Sequence, residues 1–287
     1  MHYIEAKSIL TSFHGGMNVY RGCTHGCVYC DARSKVYGME HLFEDVAVKH
    51  NAPQLLEKAL RSKRKPCMIG TGSMADPYQH CEEQLQITRK CLELIYRYGF
   101  GATLITKSDR VLRDIDILES INQRTKCVVQ MSLTIMDDTL SRKMEPGVCP
   151  SSRRVEVLRE LQDRGIPTVV WLCPVLPYIS DTEENIKAIL EACIQTGVKG
   201  IICFWMGMTL REGDRESYYA ALDRNFPGLK QRYIQEYGNA YQLSSPNAAA
   251  LMSLFKETCN QHGILSTLDD VFAYLREFPQ PEQLTLF

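Results

Sequence analysis

The sequence predicts an α/β protein, a partial (β/α)6 barrel of the TIM type with a helical C-terminal extension. Three observations predict it. Six short stretches of strand character recur along the first two thirds of the chain, each followed by a segment of helical periodicity. Those stretches are near-continuously apolar, as parallel strands covered on both faces are. After Met208 the strand signal stops and only helical patterns follow. A complete barrel of this class has eight units, so six leave it partial.

Each element has its own warrant. Residues 17–21 make a short first strand that ends at a cysteine-bearing loop. Residues 53–60 read as a helix, and the basic run at 61–65 as its solvated end. The second strand is 67–71; after it Leu85, Leu92 and Ile95 line one face of a helix over about 82–98. The third strand is 102–106, followed by a helix carrying Ile115, Leu118 and Ile121. The fourth is 127–133. The helix beyond it starts near Ser151 or Ser152, buries Val155, Leu158 and Leu161, and stops at Gly165. The fifth strand is 168–172, and Ser180 with Glu183 offers a capping box for a helix with Ile186, Ile189, Leu190 and Cys193 inward. The sixth is 200–205. Residues 217–223, 228–237 and 246–262 read as helices. The expected division is a barrel over 1–210, a helical extension over 211–278 and a tail over 279–287.

The 287 residues suffice for one large domain or a domain with an extension. A net charge of −1 predicts no polyanion partner from bulk charge, so any such contact needs a local patch. The first residues lack a signal-peptide core and no run approaches transmembrane length, which predicts a cytoplasmic protein with no membrane contact. The twelve cysteines then read as reduced thiols, three of them metal-bound.

Those three are Cys23, Cys27 and Cys30, at C-x-x-x-C-x-x-C spacing with Tyr29 just before the last. So short a loop cannot keep three thiols apart. It can fold around one metal centre, each thiolate taking one iron of a 4Fe–4S cube. Three ligands for four irons leave one iron open to chelate a small molecule. A zinc site completed by His25 or Asp31 is the alternative, and three buried structural cysteines the plainer one.

The loop resembles the signature of the radical S-adenosylmethionine (radical SAM) enzymes. The resemblance implies that the open iron binds the amino and carboxylate groups of SAM. It also implies that the reduced cluster cleaves SAM to a 5′-deoxyadenosyl radical, that Tyr29 lies against the adenine, and that a reductant such as flavodoxin or ferredoxin supplies the electron.

In such barrels chemistry sits at the C-terminal ends of the strands. There the sequence places Ser73 and Asp76 in the loop after the second strand, Lys107 after the third and Ser132 at the end of the fourth. Glu145-Pro146, the paired Arg153 and Arg154, and the run Pro174-Val175-Leu176-Pro177 follow. Together with Asp76-Pro77-Tyr78-Gln79 and Thr106-Lys107-Ser108 they resemble the spore photoproduct lyase-like, DNA repair photolyase-related branch, over about residues 16–262. That resemblance implies a lyase-class reaction on a DNA lesion, with Ser73, Asp76, Lys107 and Ser132 around SAM. Ala75 departs from the branch, where Thr is common. The branch's hydrogen-donating cysteine near the second strand end is also missing; Gly72 and Met74 flank Ser73, and Cys81 and Cys149 are the nearest candidates.

Arg110, Arg142, Lys143, Arg153, Arg154, Arg211 and Arg215 fall in or near the same loops and predict a basic rim for phosphates, unless Asp109, Glu145, Glu212 and Asp214 neutralise them. The tail residues Gln283, Leu284, Leu286 and Phe287 resemble the Q-L-x-L-F peptide that docks bacterial replication and repair proteins on the sliding clamp, with DNA as the implied substrate. The competing readings are a radical SAM enzyme on a small metabolite, peptide or RNA, and a non-enzymatic iron–sulfur or zinc redox or scaffold protein.

Overall fold

The computed structural model describes residues 1–11 and 15–279; the clamp-like peptide lies outside them. Along the chain come strands β1 (His2–Ile4), β2 (Gly16–Met17), β3 (Tyr20–Arg21) and β4 (Ala47–Lys49), helix α1 (Ala52–Ser62) and β5 (Met68–Thr71). Next are α2 (Glu82–Leu85), α3 (Ile87–Arg97), β6 (Gly101–Thr106), α4 (Ile115–Arg124), β7 (Cys127–Ser132), α5 (Asp138–Met144) and α6 (Ser151–Asp163). Then follow β8 (Thr168–Trp171), α7 (Glu183–Gln195), β9 (Gly200–Ile202), β10 (Gly207–Thr209), α8 (Asp214–Asn225) and α9 (Leu229–Tyr237). The last are β11 (Gln242–Ser244), α10 (Ala248–Gln261) and α11 (Leu268–Arg276).

Six strands form one parallel sheet in the order β2-β5-β6-β7-β8-β9. Of the expected first strand over 17–21 only Met17 joins it, Tyr20 and Arg21 pairing with β4 instead, and the sixth ends at Ile202 rather than 205. Its register sets apolar residues side by side, with Leu104 beside Val129, Met131 beside Val170, and Val170 beside Ile201. All of β7 is buried, as a central strand covered on both faces must be. Its one amide, Gln130, is satisfied by donating to Thr103 Oγ1 and accepting from Trp171 Nε1, each at 2.7 Å. Among the described residues no strand joins β9 back to β2, so the barrel is open. Beyond β9 the chain at Leu265 continues the edge, with Ile201 N donating to its carbonyl at 2.8 Å, and α10 and α11 pack behind it.

Several local details differ from the sequence reading. β1, β4 and β3 make a second small sheet from segments far apart in sequence. The helix expected over 82–98 is two helices, broken at Gln86 with φ 51°. The break is capped: the buried Glu82 carboxylate accepts from Ile87 N and Thr88 N at 3.1 Å. Thr182 rather than Ser180 caps α7, its hydroxyl accepting from Asn185 N at 3.2 Å, while Ser180 turns back to Leu176 N. In α6 it is Val157, not Val155, that is fully buried with Leu158 and Leu161. A short antiparallel pair, β10 with β11, interrupts the C-terminal helices.

A second apolar cluster decides where the chemistry sits. Tyr29 of the cysteine loop packs with Met144, Leu176, Met208, Tyr218 and Tyr233. The helices after β10 therefore support that loop from below.

Candidate active site

The cysteine loop hangs from four backbone anchors. Cys23 N donates to Phe43 O at 3.0 Å, and Thr24 N to the Gln79 side chain at 3.1 Å. Val28 N donates to Met144 O at 3.0 Å, and Gly147 N to His25 O at 2.8 Å. The last two tie the loop to the turn Glu145-Pro146-Gly147. A β-carbon on Gly147 would lie 2.7 Å from His25 O and 2.8 Å from Thr24 O, so only glycine permits this approach.

Cys23, Cys27 and Cys30 all line one cavity of about 490 Å³ at the C-terminal ends of the sheet. That size is typical of a small-molecule site. All twelve cysteines are free. Burial pushes the Cys27 and Cys30 thiols well up from their ordinary value, with Lys107 pulling the other way.

Around the thiols the strand ends deliver their side chains. Asp76 lines the cavity, but its oxygens are occupied. They accept from Tyr78 N, Thr106 Oγ1 and Lys107 N, each at 2.8 Å, and from His25 Nδ1 at 3.3 Å. Burial raises the Asp76 carboxyl, yet His25 and the backbone donors outweigh it and hold it at about 2. Burial likewise disfavours the His25 imidazolium, and the Asp76 carboxylate reverses this, raising it to about 10. Gly72, at φ 99°, presses on the Ile105 carbonyl and carries the chain into this loop. Ser73 stands exposed beside Asn18 at 3.5 Å. Lys107 Nζ lies 5.7 Å from the Tyr29 ring centre. Burial opposes its charge, but Cys27 and Glu145 raise its pKa. Ser132 lines the wall, and its hydroxyl has no protein partner among the described residues.

Beneath Tyr29 lies a buried ion pair. Its hydroxyl donates to Glu145, and Glu145 pairs with Arg154; both charged side chains are 0% exposed. Arg154 also donates to Ser132 O at 3.0 Å and Cys149 O at 3.1 Å. This corrects the basic rim. Arg154 is interior, Arg153 is shared among Asp109, Glu156 and Glu160, and Arg110 lies 3.6 Å from Glu83. Arg211 pairs with Asp31 at 3.2 Å, and Arg215 donates to the carbonyls of Leu210 and Ala240. Of the seven, Arg142 and Lys143 are the two exposed ones without an ion pair or hydrogen bond among the described residues.

Cys81 and Cys149 do not line the cavity. Cys149 donates its thiol to Lys107 O at 3.3 Å, and Cys81 sits beside Tyr20 and Glu82. The cysteine that does line it, outside the loop, is Cys173 at the end of β8. The strand-end rule that selected Lys107 and Ser132 would also have selected it. Trp171, Phe204 and Trp205 complete that side; they too stand at the ends of the expected fifth and sixth strands, but were read as strand residues rather than as lining.

The radical SAM superfamily model matches residues 17–192, more than half of the chain. The chain belongs to the radical SAM superfamily. Its cofactors are accordingly a 4Fe–4S cluster and S-adenosylmethionine. The residues present fit them: three free thiols, the Lys107 ammonium and the Ser132 hydroxyl, neither hydrogen-bonded among the described residues, face one cavity of suitable size. This radical SAM chain is 28% identical over 252 residues to the uncharacterized protein Mb2609c of Mycobacterium bovis, covering 82% of this chain and 73% of that one. It is 30% identical over 172 residues to the uncharacterized protein MJ0683 of Methanocaldococcus jannaschii, 58% of this chain and 62% of that one. A radical SAM Nalpha-GlyT isomerase of Pseudomonas phage M6 is 24% identical over 197 residues, 69% and 39% of the two chains. A spore photoproduct lyase mutant solved with bound AdoMet and dinucleoside spore photoproduct has the same fold, with TM-score 0.66 at 12% identity over 92% of this chain and 80% of that one. No helix of the described residues is long and apolar enough to cross a membrane.

Proposed function

We propose that this radical SAM protein is an enzyme acting on a damaged or modified base in DNA, with the cluster held by Cys23, Cys27 and Cys30. The observation that carries the reading is the convergence of those thiols with Lys107, Ser132 and Cys173 on one cavity at the strand ends. When bound, the cluster supplies an electron and SAM the radical that abstracts hydrogen from substrate. The chain's own residues bind and orient. Lys107, Ser73 and Ser132 offer an ammonium and two hydroxyls to the polar groups of SAM, and Tyr29 offers a ring face held in place by Glu145. Asp76 is a positioning residue, since its oxygens hold His25 and the Lys107 turn rather than ligand. The DNA substrate is supported by the spore photoproduct lyase that carries a dinucleoside lesion on this fold, and by the clamp-like peptide of Gln283, Leu284, Leu286 and Phe287. A cytoplasmic setting, where so cysteine-rich a chain stays reduced, is part of the same reading.

Cys173 takes the role first assigned to Cys81 and Cys149. Burial keeps its thiol protonated, and a hydrogen-atom donor must hold an S–H. Cys173→Ala is expected to retain SAM cleavage while changing the product formed from a lesion-bearing oligonucleotide. The check is anaerobic reconstitution with a reductant and SAM, following 5′-deoxyadenosine and the oligonucleotide mass separately. An unchanged product would remove Cys173 from the reaction; absence of 5′-deoxyadenosine from the unsubstituted protein would remove the enzyme reading itself.

Cluster loading should depend on pH. Cys27 and Cys30 are held as neutral thiols by burial, and ligation needs thiolates, so loading releases protons. Iron uptake at limiting iron is expected to increase as pH rises from about 7 to about 9. A flat profile would show that the thiolates are already formed.

For the tail, a peptide covering residues 279–287 is expected to bind the sliding clamp of the source organism. The double substitution Leu286→Ala with Phe287→Ala is expected to abolish binding. Failure to bind at high micromolar peptide removes the clamp as a partner.

A further inference from the structure

Both tryptophans of the chain stand in the wall of the cavity that holds the cysteine loop. Trp171, at the end of β8, is fixed by its indole N–H donating to Gln130. Trp205 is seated on Gly207, where its indole and the Leu243 carbonyl fill the place of any β-carbon. Phe204 stands between them. Its ring centre is 6.0 Å from Trp171 and 6.5 Å from Trp205, with the planes inclined at 58° and 57°. Phe272 of α11 backs Trp171 and Phe204 at 6.4 Å from each. Phe204 is nonetheless 43% exposed and lines the cavity, so its ring is open to a ligand there.

The geometry points to a subsite in which one unpaired nucleobase lies on Phe204 between Trp171 and Trp205. This rests on the nucleic-acid reading above and says how the substrate is held. The inclined rings form a corner, so a planar ligand can lie face-on to one ring with its edge toward another, the preferred aromatic arrangement. A sugar–phosphate has no π face to contribute. Stacking on aromatic side chains tolerates any base, because every base has a π face. A base within a duplex cannot reach such a corner, so the ligand is single-stranded or extruded from its stack. The charges agree. With Arg154 buried and four other rim arginines engaged, Arg142 and Lys143 remain for phosphate. Two phosphate contacts give a single-strand salt slope of only about −1.4 (0.7 × 2), so affinity comes from the base.

The test uses the full chain with its cluster reconstituted, under anaerobic conditions. Because the chain has two tryptophans and both line this wall, emission excited selectively at tryptophan, beyond the absorption of the fourteen tyrosines, reports on it. Three probes are titrated: a short single-stranded oligothymidylate, an abasic strand of equal length, and a phenylalanine tripeptide. Binding of each labelled strand is followed in parallel by anisotropy. The expected result is saturable quenching by oligothymidylate with a shallow salt dependence, and none by the abasic strand. Phe204→Leu, which keeps an apolar side chain but no flat ring, should weaken oligothymidylate about tenfold and leave SAM affinity unchanged. Oligothymidylate that binds by anisotropy without quenching, or equally well to Phe204→Leu, overturns the subsite while the nucleic-acid reading stands. Quenching by the tripeptide with no strand binding overturns both.

Discussion

Replacing Arg154 by methionine is expected to lower the unfolding free energy by about 3–5 kcal/mol, the cost of leaving one member of a buried ion pair alone. Arg154 and Glu145 are both wholly inside the protein, so no water can replace the lost guanidinium. The double substitution Glu145→Gln with Arg154→Met is expected to recover more than half of the loss, because the stranded charge disappears with it. Denaturant midpoints of the three proteins measure this, and a single-substitution loss below about 1 kcal/mol would contradict the burial. The sign with pH is also fixed. Burial pushes the Glu145 carboxyl up, but Arg154 and Lys107 hold it below its ordinary 4.5. Its contribution is therefore present above 4.5 and lost as pH falls through the lower folded value. In Arg154→Met burial dominates, Glu145 takes up its proton at a higher pH, and the gap to the unsubstituted protein narrows in acid.

The second large effect is on the cluster. With Cys23, Cys27 and Cys30 all changed to alanine, iron and sulfide are expected to fall from about four of each per chain to none. SAM cleavage should drop to the protein-free background. The fold should survive, because the loop's anchors at Phe43, Gln79, Met144 and Gly147 do not involve the thiols. Iron and sulfide analysis, 5′-deoxyadenosine release and far-ultraviolet circular dichroism make the three measurements. A retained cluster, or one tightly held zinc per chain in the native protein, would contradict the assignment.

What the sequence revealed follows from how local each signal is. The six strands were legible because each is a short apolar run bounded by a helix, and the thiols because their spacing lies within eight residues. The small sheet of β1, β4 and β3 was not, because strands of two or three residues paired between distant positions, such as His2 with Ala47 and Tyr20 with Val48, leave no local pattern. The break at Gln86 was hidden because a helical stripe continues through it, and the Glu82 carboxylate that caps it is visible only in three dimensions. Arg154 was left open between a phosphate-facing rim and neutralisation by Glu145. The sequence names the partner but not its depth, and only the returning turn at Glu145 puts the pair within the core. Cys173 and Phe204 belong to strand ends whose neighbours are set by the sheet order.

The turn at Gly147 has a further consequence for the order in which the enzyme is built. The loop that receives iron is held by a segment more than one hundred residues later, beyond β7. A nascent chain that has only just exposed its cysteines therefore lacks the surface that shapes them. Iron delivered at that stage would meet a floppy tripod of thiols, open to other metals. Maturation is best timed after the strands through β7 and helix α6 have assembled, when the apoprotein already displays its receptacle. Slow amide exchange at Val28 and Gly147 in metal-free protein would be the signature of that waiting state.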